Sequence, residues 1–194
     1  MDEAKPLDRA GIEEAFRIMG QYLLDRKALG EIAIYGGSAI LFQFDWRKTS
    51  QDVDARIMSD GSHGLVIQAV REAAKRLGLS ASWLNKSVAM YARPGEGHVD
   101  RVLIGLYPSP ERFGRRVMAA KPAYILAMKL KALERTTADD RDYRDAVKPG
   151  LACKATTADG LRDIFRKFFP NEALPLAAEL QLGSIVQAIR AEAG

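Results

Sequence analysis

Two short segments carry residue types that can do chemistry together. The first is Ile34-Tyr35-Gly36-Gly37-Ser38; after thirteen intervening residues comes Asp52-Val53-Asp54-Ala55-Arg56-Ile57, entered through the polar, basic run Arg47-Lys48-Thr49-Ser50-Gln51. A glycine pair directly after an apolar run allows backbone conformations closed to other residues. Ser38 then stands where a starting helix can present N–H groups and a hydroxyl to phosphate. Asp52 and Asp54 lie two apart in an alternating segment, so on a strand they project to one side roughly 6.5–7 Å apart. Two such carboxylates repel each other unless a hard cation such as Mg²⁺ sits between them, and that cation keeps positions for phosphate oxygens and water. Phosphoryl or nucleotidyl transfer is the chemistry that needs both parts. Each half also has a plainer reading, a tight turn in one case and solvated acids on an exposed strand in the other. Gly36-Gly37 lacks the spacing of a P-loop or a dinucleotide fingerprint. Asp140-Arg141-Asp142 repeats the acid spacing in a segment expected to be helical, where positions two apart diverge.

The elements that must position these residues follow from periodicity. Ile12, Ala15, Phe16, Met19, Leu23 and Leu24 recur at helical spacing and predict an amphipathic helix over 8–28, stopped by Gly30. Residues 31–35 read as a short strand running into the glycines, and 38–44 as a buried helix after them. In 51–57, Val53, Ala55 and Ile57 alternate with Asp52, Asp54 and Arg56, which is the pattern of a half-buried strand bearing the acids. A second amphipathic helix is expected over 64–77, with Gly78 as its stop. Strands are expected at 99–107 and 115–119, with a weaker candidate at 87–92 and a turn at Arg93-Pro94-Gly95-Glu96-Gly97. Beyond Pro122 the pattern is helical throughout, with Thr137 and Thr157 as caps and a last helix over 173–191. Mixed strands and helices followed by helices alone give an α+β class: a sheet-based core over 1–121 and a helical module over 122–194.

Composition sets the outer bounds. The chain has 194 residues, 47% of them hydrophobic, enough to bury a core. Its apolar runs are short of a membrane-spanning helix, and the first residues lack the pattern of a secretory signal, so a cytoplasmic, non-membrane protein is expected. Cys153 is the single cysteine, which excludes an internal disulfide and a zinc site of paired cysteines. A net charge of +4 and a pI near 9.2 suit anionic partners without themselves declaring a nucleic-acid binder. No nucleophile with a positioned base is visible, and Trp46, Trp83, Phe168 and Phe169 read as packing residues.

Lys129 is a separate signal. On a helix it neighbours Ile125, Leu126, Ala132 and Leu133 and so faces inward, where it needs an anion, either phosphate or a carboxylate. The alternative is a lysine snorkelling past apolar neighbours to water. Asp142 and Asp145 share a helix face, interleaved with Arg141 and Arg144, a pattern usual for a self-paired surface.

Gly36-Gly37-Ser38 followed by Asp52-Val53-Asp54 resembles the signature of the DNA polymerase β-like nucleotidyltransferase superfamily. Leu126-Ala127-Met128-Lys129-Leu130-Lys131-Ala132, then Arg135 and Arg141-Asp142-Tyr143-Arg144-Asp145, resembles its AbiEii-type branch, which includes toxins of toxin–antitoxin and abortive-infection systems. Trp83-Leu84-Asn85 is similar to one subgroup of that branch, and the resemblance spans about residues 31–147. It implies a mixed β-sheet flanked by helices and a Mg²⁺-dependent transfer of a nucleoside monophosphate from an NTP to an acceptor hydroxyl. Gly36, Gly37 and Ser38 would cradle the triphosphate, Asp52 and Asp54 would hold Mg²⁺, and Lys129 would neutralise the phosphates. Asp142 would orient Lys129 or the acceptor, with Asp145 supporting it. A third metal acid is expected on a later strand, with Asp100 the candidate and Glu96 close by. The branch shows Arg-x-Thr/Ser-x-Asp-x-Asp; counting back from Asp52 gives Ser50 and Lys48 as nucleotide contacts and leaves Arg47 displaced by one. RNA, notably a tRNA 3′ end, is the implied acceptor, and a cognate antitoxin or other partner protein is implied as well. The rival readings are an antitoxin-type transferase that modifies a partner protein and a catalytically silent module that binds nucleic acid or protein.

Overall fold

The computed structural model describes residues 6–44, 47–58, 61–87, 92, 96–134 and 140–194, without the side chains of residues 98 and 140–142. The chain divides into two compact units, Met1–Ala89 with Arg101–Ala120, and Met90–Asp100 with Lys121–Gly194. The expected boundary lies one residue from Ala120, but among the described residues Ala92 and 96–100 group with the helices. Together the units form an α+β fold.

The first unit is built on a five-stranded mixed sheet in the order β5-β4-β2-β7-β6, from β2 (Gly30–Ile34), β4 (Val53–Ile57), β5 (Leu84–Asn85), β6 (Arg101–Pro108) and β7 (Phe113–Ala120). β2 lies centrally, antiparallel to β4 and parallel to β7. Its Ile32, Ala33 and Ile34 are all buried, as a strand covered on both faces requires. A second, two-residue ladder pairs β1 (Leu7–Asp8) with β3 (Thr49–Ser50), in the register Leu7 to Ser50. It ties the start of the chain to the segment that leads into the acids.

Helix α1 (Arg9–Leu24) buries Ile12, Ala15, Phe16, Met19 and Leu23 and packs on β6, β7 and α3 (His63–Leu77). Asp8 caps it by accepting from the Gly11 N–H at 2.8 Å. The helix stops four residues before the expected 28, because the N–H groups of Arg26 and Lys27 turn to carbonyls three residues back and Lys27 adopts a left-handed φ of 52°. Gly30 opens β2 instead of ending the helix. Gly78 closes α3 in the left-handed conformation, as expected of a glycine stop.

In the second unit, α4 (Pro122–Ala132), α5 (Asp140–Ala152), α6 (Ala158–Phe168) and α7 (Leu176–Ala193) pack pairwise. Pro122 takes the first turn of α4, and the Thr157 hydroxyl caps α6 by accepting from the Gly160 N–H. Tyr124 stacks on Phe168 at 4.9 Å between centroids. The last helix starts three residues later than expected, after Pro175. Thr137, Trp46 and most of the weak strand at 87–92 lie outside the described residues. No helix among the described residues is long and apolar enough to cross a membrane.

One buried charge departs from ordinary core chemistry. Arg115 on β7 is fully buried, and among the described residues its three guanidinium nitrogens have no hydrogen-bond partner. A Cβ at Gly30 would stand 3.0 Å from its Nη1, at a spot that Leu23 and Val66 also border. Burial pushes its pKa down from the ordinary arginine range to about 9. Below pH 9 the folded state carries the full penalty of a desolvated cation. From about 9 up to the ordinary arginine range the unfolded chain binds a proton that the folded chain lacks, so the stability contributed by this site rises with pH. Arg115→Met is therefore expected to stabilise the protein at pH 7 by ~1–4 kcal/mol in urea unfolding. Its advantage over the wild type should shrink as the pH passes 9. A variant less stable than the wild type would show that the guanidinium is held favourably.

Candidate phosphate and metal site

The site begins with strand pairing. The register of β2 against β4 sets Ile34 opposite Ala55, and the Tyr35 N–H continues the ladder by donating to the Asp54 carbonyl at 2.9 Å. Val53 and Ala55 are fully buried, so alternation turns Asp54 and Arg56 to the other face, where both are half-buried. Asp52 sits in the bend just before the strand and is exposed.

Helix α2 (Gly36–Gln43) starts at the first glycine, two residues earlier than the expected Ser38. Gly36 has φ of +53°, a left-handed conformation that suits glycine, and a Cβ there would lie 2.9 Å from Asp54 Oδ2. The Asp54 carboxylate therefore lies over the first residue of α2. At Gly37 a Cβ would stand 2.7 Å from Arg47 Cζ, so the guanidinium covers the second residue. The first N–H groups of α2 have no acceptor within their own helix. A carboxylate, a guanidinium and the positive end of a helix thus meet at two glycines.

The other nucleotide contacts expected from the sequence are placed differently. The Ser38 hydroxyl is buried and donates to the Tyr35 carbonyl at 2.9 Å, which uses its hydrogen to hold the turn. Lys48 is exposed, and Ser50 is buried in the β1–β3 ladder. Arg47, displaced by one from the spacing of the branch the sequence resembles, is the cation that reaches Gly37, with its Nε anchored on the Thr49 carbonyl at 3.0 Å. A further residue, Asn85 on β5, which the sequence offers only within Trp83-Leu84-Asn85 and with no site role, joins them: its Nδ2 donates to Asp52 Oδ2 at 2.7 Å. Nothing in the sequence pattern marks that contact, because Asn85 is 33 residues from Asp52.

Two carboxylates of all-oxygen character fit a hard divalent cation that takes its remaining ligands from water and phosphate. The third acid expected at Asp100 belongs to the second unit. It lies in a 3₁₀ turn, His98–Asp100, that precedes β6 instead of on the strand itself. Its Oδ2 accepts from the Gly97 N–H at 3.3 Å. Among the described residues, no three His, Cys, Asp or Glu side chains cluster as a metal site.

Lys129 and Asp145 also lie in the second unit. Lys129 Nζ reaches Asp145 Oδ2 at 2.7 Å, with the lysine side chain 13% and the aspartate 1% exposed. The inward lysine thus meets a carboxylate on α5. The side chain of Asp142, expected to orient it, is outside the described set. Lys131 pairs instead with Glu172 and lies 4.4 Å over the Phe169 ring. Comparison with protein-family models, with curated proteins and with solved structures finds no match to this chain.

The two glycines give a differential test. Gly36→Ala should cost ~1–2 kcal/mol in urea unfolding, because it forces a side chain into the left-handed region and against a carboxylate. Gly37→Ala should cost less than about 1 kcal/mol, since only the flexible end of Arg47 must move. Equal costs would contradict the placement of Arg47. For the buried ion pair, Lys129→Met should lower stability by about 3 kcal/mol through the charge left on Asp145. A loss under about 0.5 kcal/mol, the size usual for an exposed site, would mean the pair is not buried in solution.

Proposed function

We propose that the chain is a metal-dependent nucleotidyltransferase that moves a nucleoside monophosphate from an NTP to an acceptor hydroxyl. The observation that carries this reading is the convergence at Gly36 and Gly37: the Asp54 carboxylate over one glycine, the Arg47 guanidinium over the other, and the start of α2 beneath both. A triphosphate is the ligand that uses all three. Its oxygens accept from the α2 amides and the Arg47 fork, and the helix end favours its charge. Asp52 and Asp54 would hold Mg²⁺, which neutralises the phosphates when bound.

The residues of the chain supply position and charge. Glycines at 36 and 37 let the Asp54 carboxylate and the Arg47 guanidinium come close to the backbone at the start of α2, where a side chain would stand in the way. Arg47 stabilises charge on the pyrophosphate as it leaves, while the acceptor hydroxyl attacks the α-phosphorus in line. An RNA acceptor, as the AbiEii-type resemblance implies, accords with the pI near 9.2. A partner protein such as a cognate antitoxin belongs to the same reading.

The test is incubation with each α-labelled NTP, Mg²⁺, total RNA and lysate protein. Label should pass to RNA, and Asp52→Ala or Asp54→Ala should reduce transfer roughly a hundredfold or more. Label on protein alone would identify the acceptor as protein and support the antitoxin-type reading. No transfer to either, beside a working control enzyme, would favour the catalytically silent binding module.

A further inference from the structure

Asp52 is exposed and lies in a bend, where a carboxylate left to itself samples several rotamers. We infer that Asn85 is a positioning residue that holds the Asp52 carboxylate in the orientation needed for the divalent cation. This inference rests on the metal-dependent reading above and adds to it a residue from a different strand.

The geometry is specific in three respects. First, β5 is locked to β4 in parallel register, with Leu84 opposite Val53 and Asn85 opposite Asp54, and the Val53 N–H donates to the Trp83 carbonyl at 2.7 Å. Trp83 is 2% exposed, and its indole N–H donates to the Val70 carbonyl on α3. A two-residue strand that could fray is therefore pinned from the core side. Second, the Asn85 amide cannot turn over without loss. Its Oδ1 accepts from the Ser87 N–H at 2.8 Å, and a backbone N–H can only donate. That contact fixes the oxygen end, so the NH₂ end must face Asp52, where Nδ2 donates to Oδ2 at 2.7 Å. Third, the donor is neutral. A lysine or arginine here would cancel the negative charge that attracts a cation, whereas an amide orients the carboxylate and leaves its charge in place.

Asn85 thus ties one oxygen of Asp52 and leaves the other to a metal ion. Among the described residues, no other side chain donates a hydrogen bond to this carboxylate. Outer partners of metal-binding carboxylates act in this way, and their loss weakens metal binding about 10- to 100-fold.

The test uses the full chain and Mn²⁺ as the probe for the divalent site, with free Mn²⁺ followed by electron paramagnetic resonance. Asn85→Leu keeps the side-chain size and removes both hydrogen bonds; Asn85→Ala is the second variant if the first folds poorly, as judged by its thermal midpoint. Either should weaken Mn²⁺ binding about tenfold. In an Asp52→Asn background the same change should have no further effect, because Asn85 acts only through that carboxylate. A purely structural asparagine would lower the thermal midpoint and show no such dependence on Asp52. If Asn85→Leu and Asn85→Ala bind Mn²⁺ as the wild type does, while Asp52→Asn binds it more weakly, the positioning role is overturned and the metal reading stands. If Asp52→Asn also binds as the wild type does, the metal reading fails and this inference fails with it.

Discussion

Everything at the candidate site depends on the antiparallel register between β2 and β4. That register sets Ile34 against Ala55 and lets Tyr35 bond to the Asp54 carbonyl, so the strand that ends in the glycines finishes beside an acid. It is held by burial: Val53 and Ala55 point into the core, and a slip of one residue would exchange them for Asp54 and Arg56. Such an exchange would bury charges at a cost far beyond anything the ladder could return. The hydrophobic face of a five-residue strand thus decides where its polar face presents chemistry.

Charged groups of the protein are held in four distinct ways. At the glycine turn, Asp54 and Arg47 are brought to the start of α2 by chain path and by the absence of side chains at 36 and 37. At Asp52 a neutral amide orients a carboxylate without cancelling it. Lys129 and Asp145 are the opposite case, a half-buried lysine in direct contact with a buried aspartate within the helical unit. Arg115 is the fourth, a fully buried cation near Gly30 that desolvation shifts toward neutrality. Net charge describes none of these, because each depends on what surrounds a particular group.

Long elements were legible in the chain because their pattern repeats. Five of the six apolar positions that predicted the first helix are buried on α1; of the second helix's expected inward positions Leu65, Val66, Ala69, Val70, Ala73 and Leu77, the middle four are buried on α3, while Leu65 is half-buried and Leu77 exposed; Thr157 caps α6 as its position before that helix suggests. Alternation in 51–57 identified the acid-bearing strand, although Asp52 proved to stand just before it. Short elements were not legible. β1, β3 and β5 have two residues each, too few for a period, and they form only because distant segments pair with them. For the same reason Asp100, adjacent to a correctly expected strand, turned out to cap a 3₁₀ turn.

By itself the sequence determined the α+β class, the sheet-to-helix transition near Lys121, the glycine turn and the acid-bearing strand, since each is written in local spacing and backbone freedom. Tertiary structure alone decided which groups meet. It brought Arg47 to Gly37 where counting favoured Lys48, committed Ser38 to a backbone carbonyl, gave Lys129 to Asp145, and set Asn85 against Asp52. Those outcomes depend on strand register and on contacts between residues far apart in the chain, and no local period encodes them.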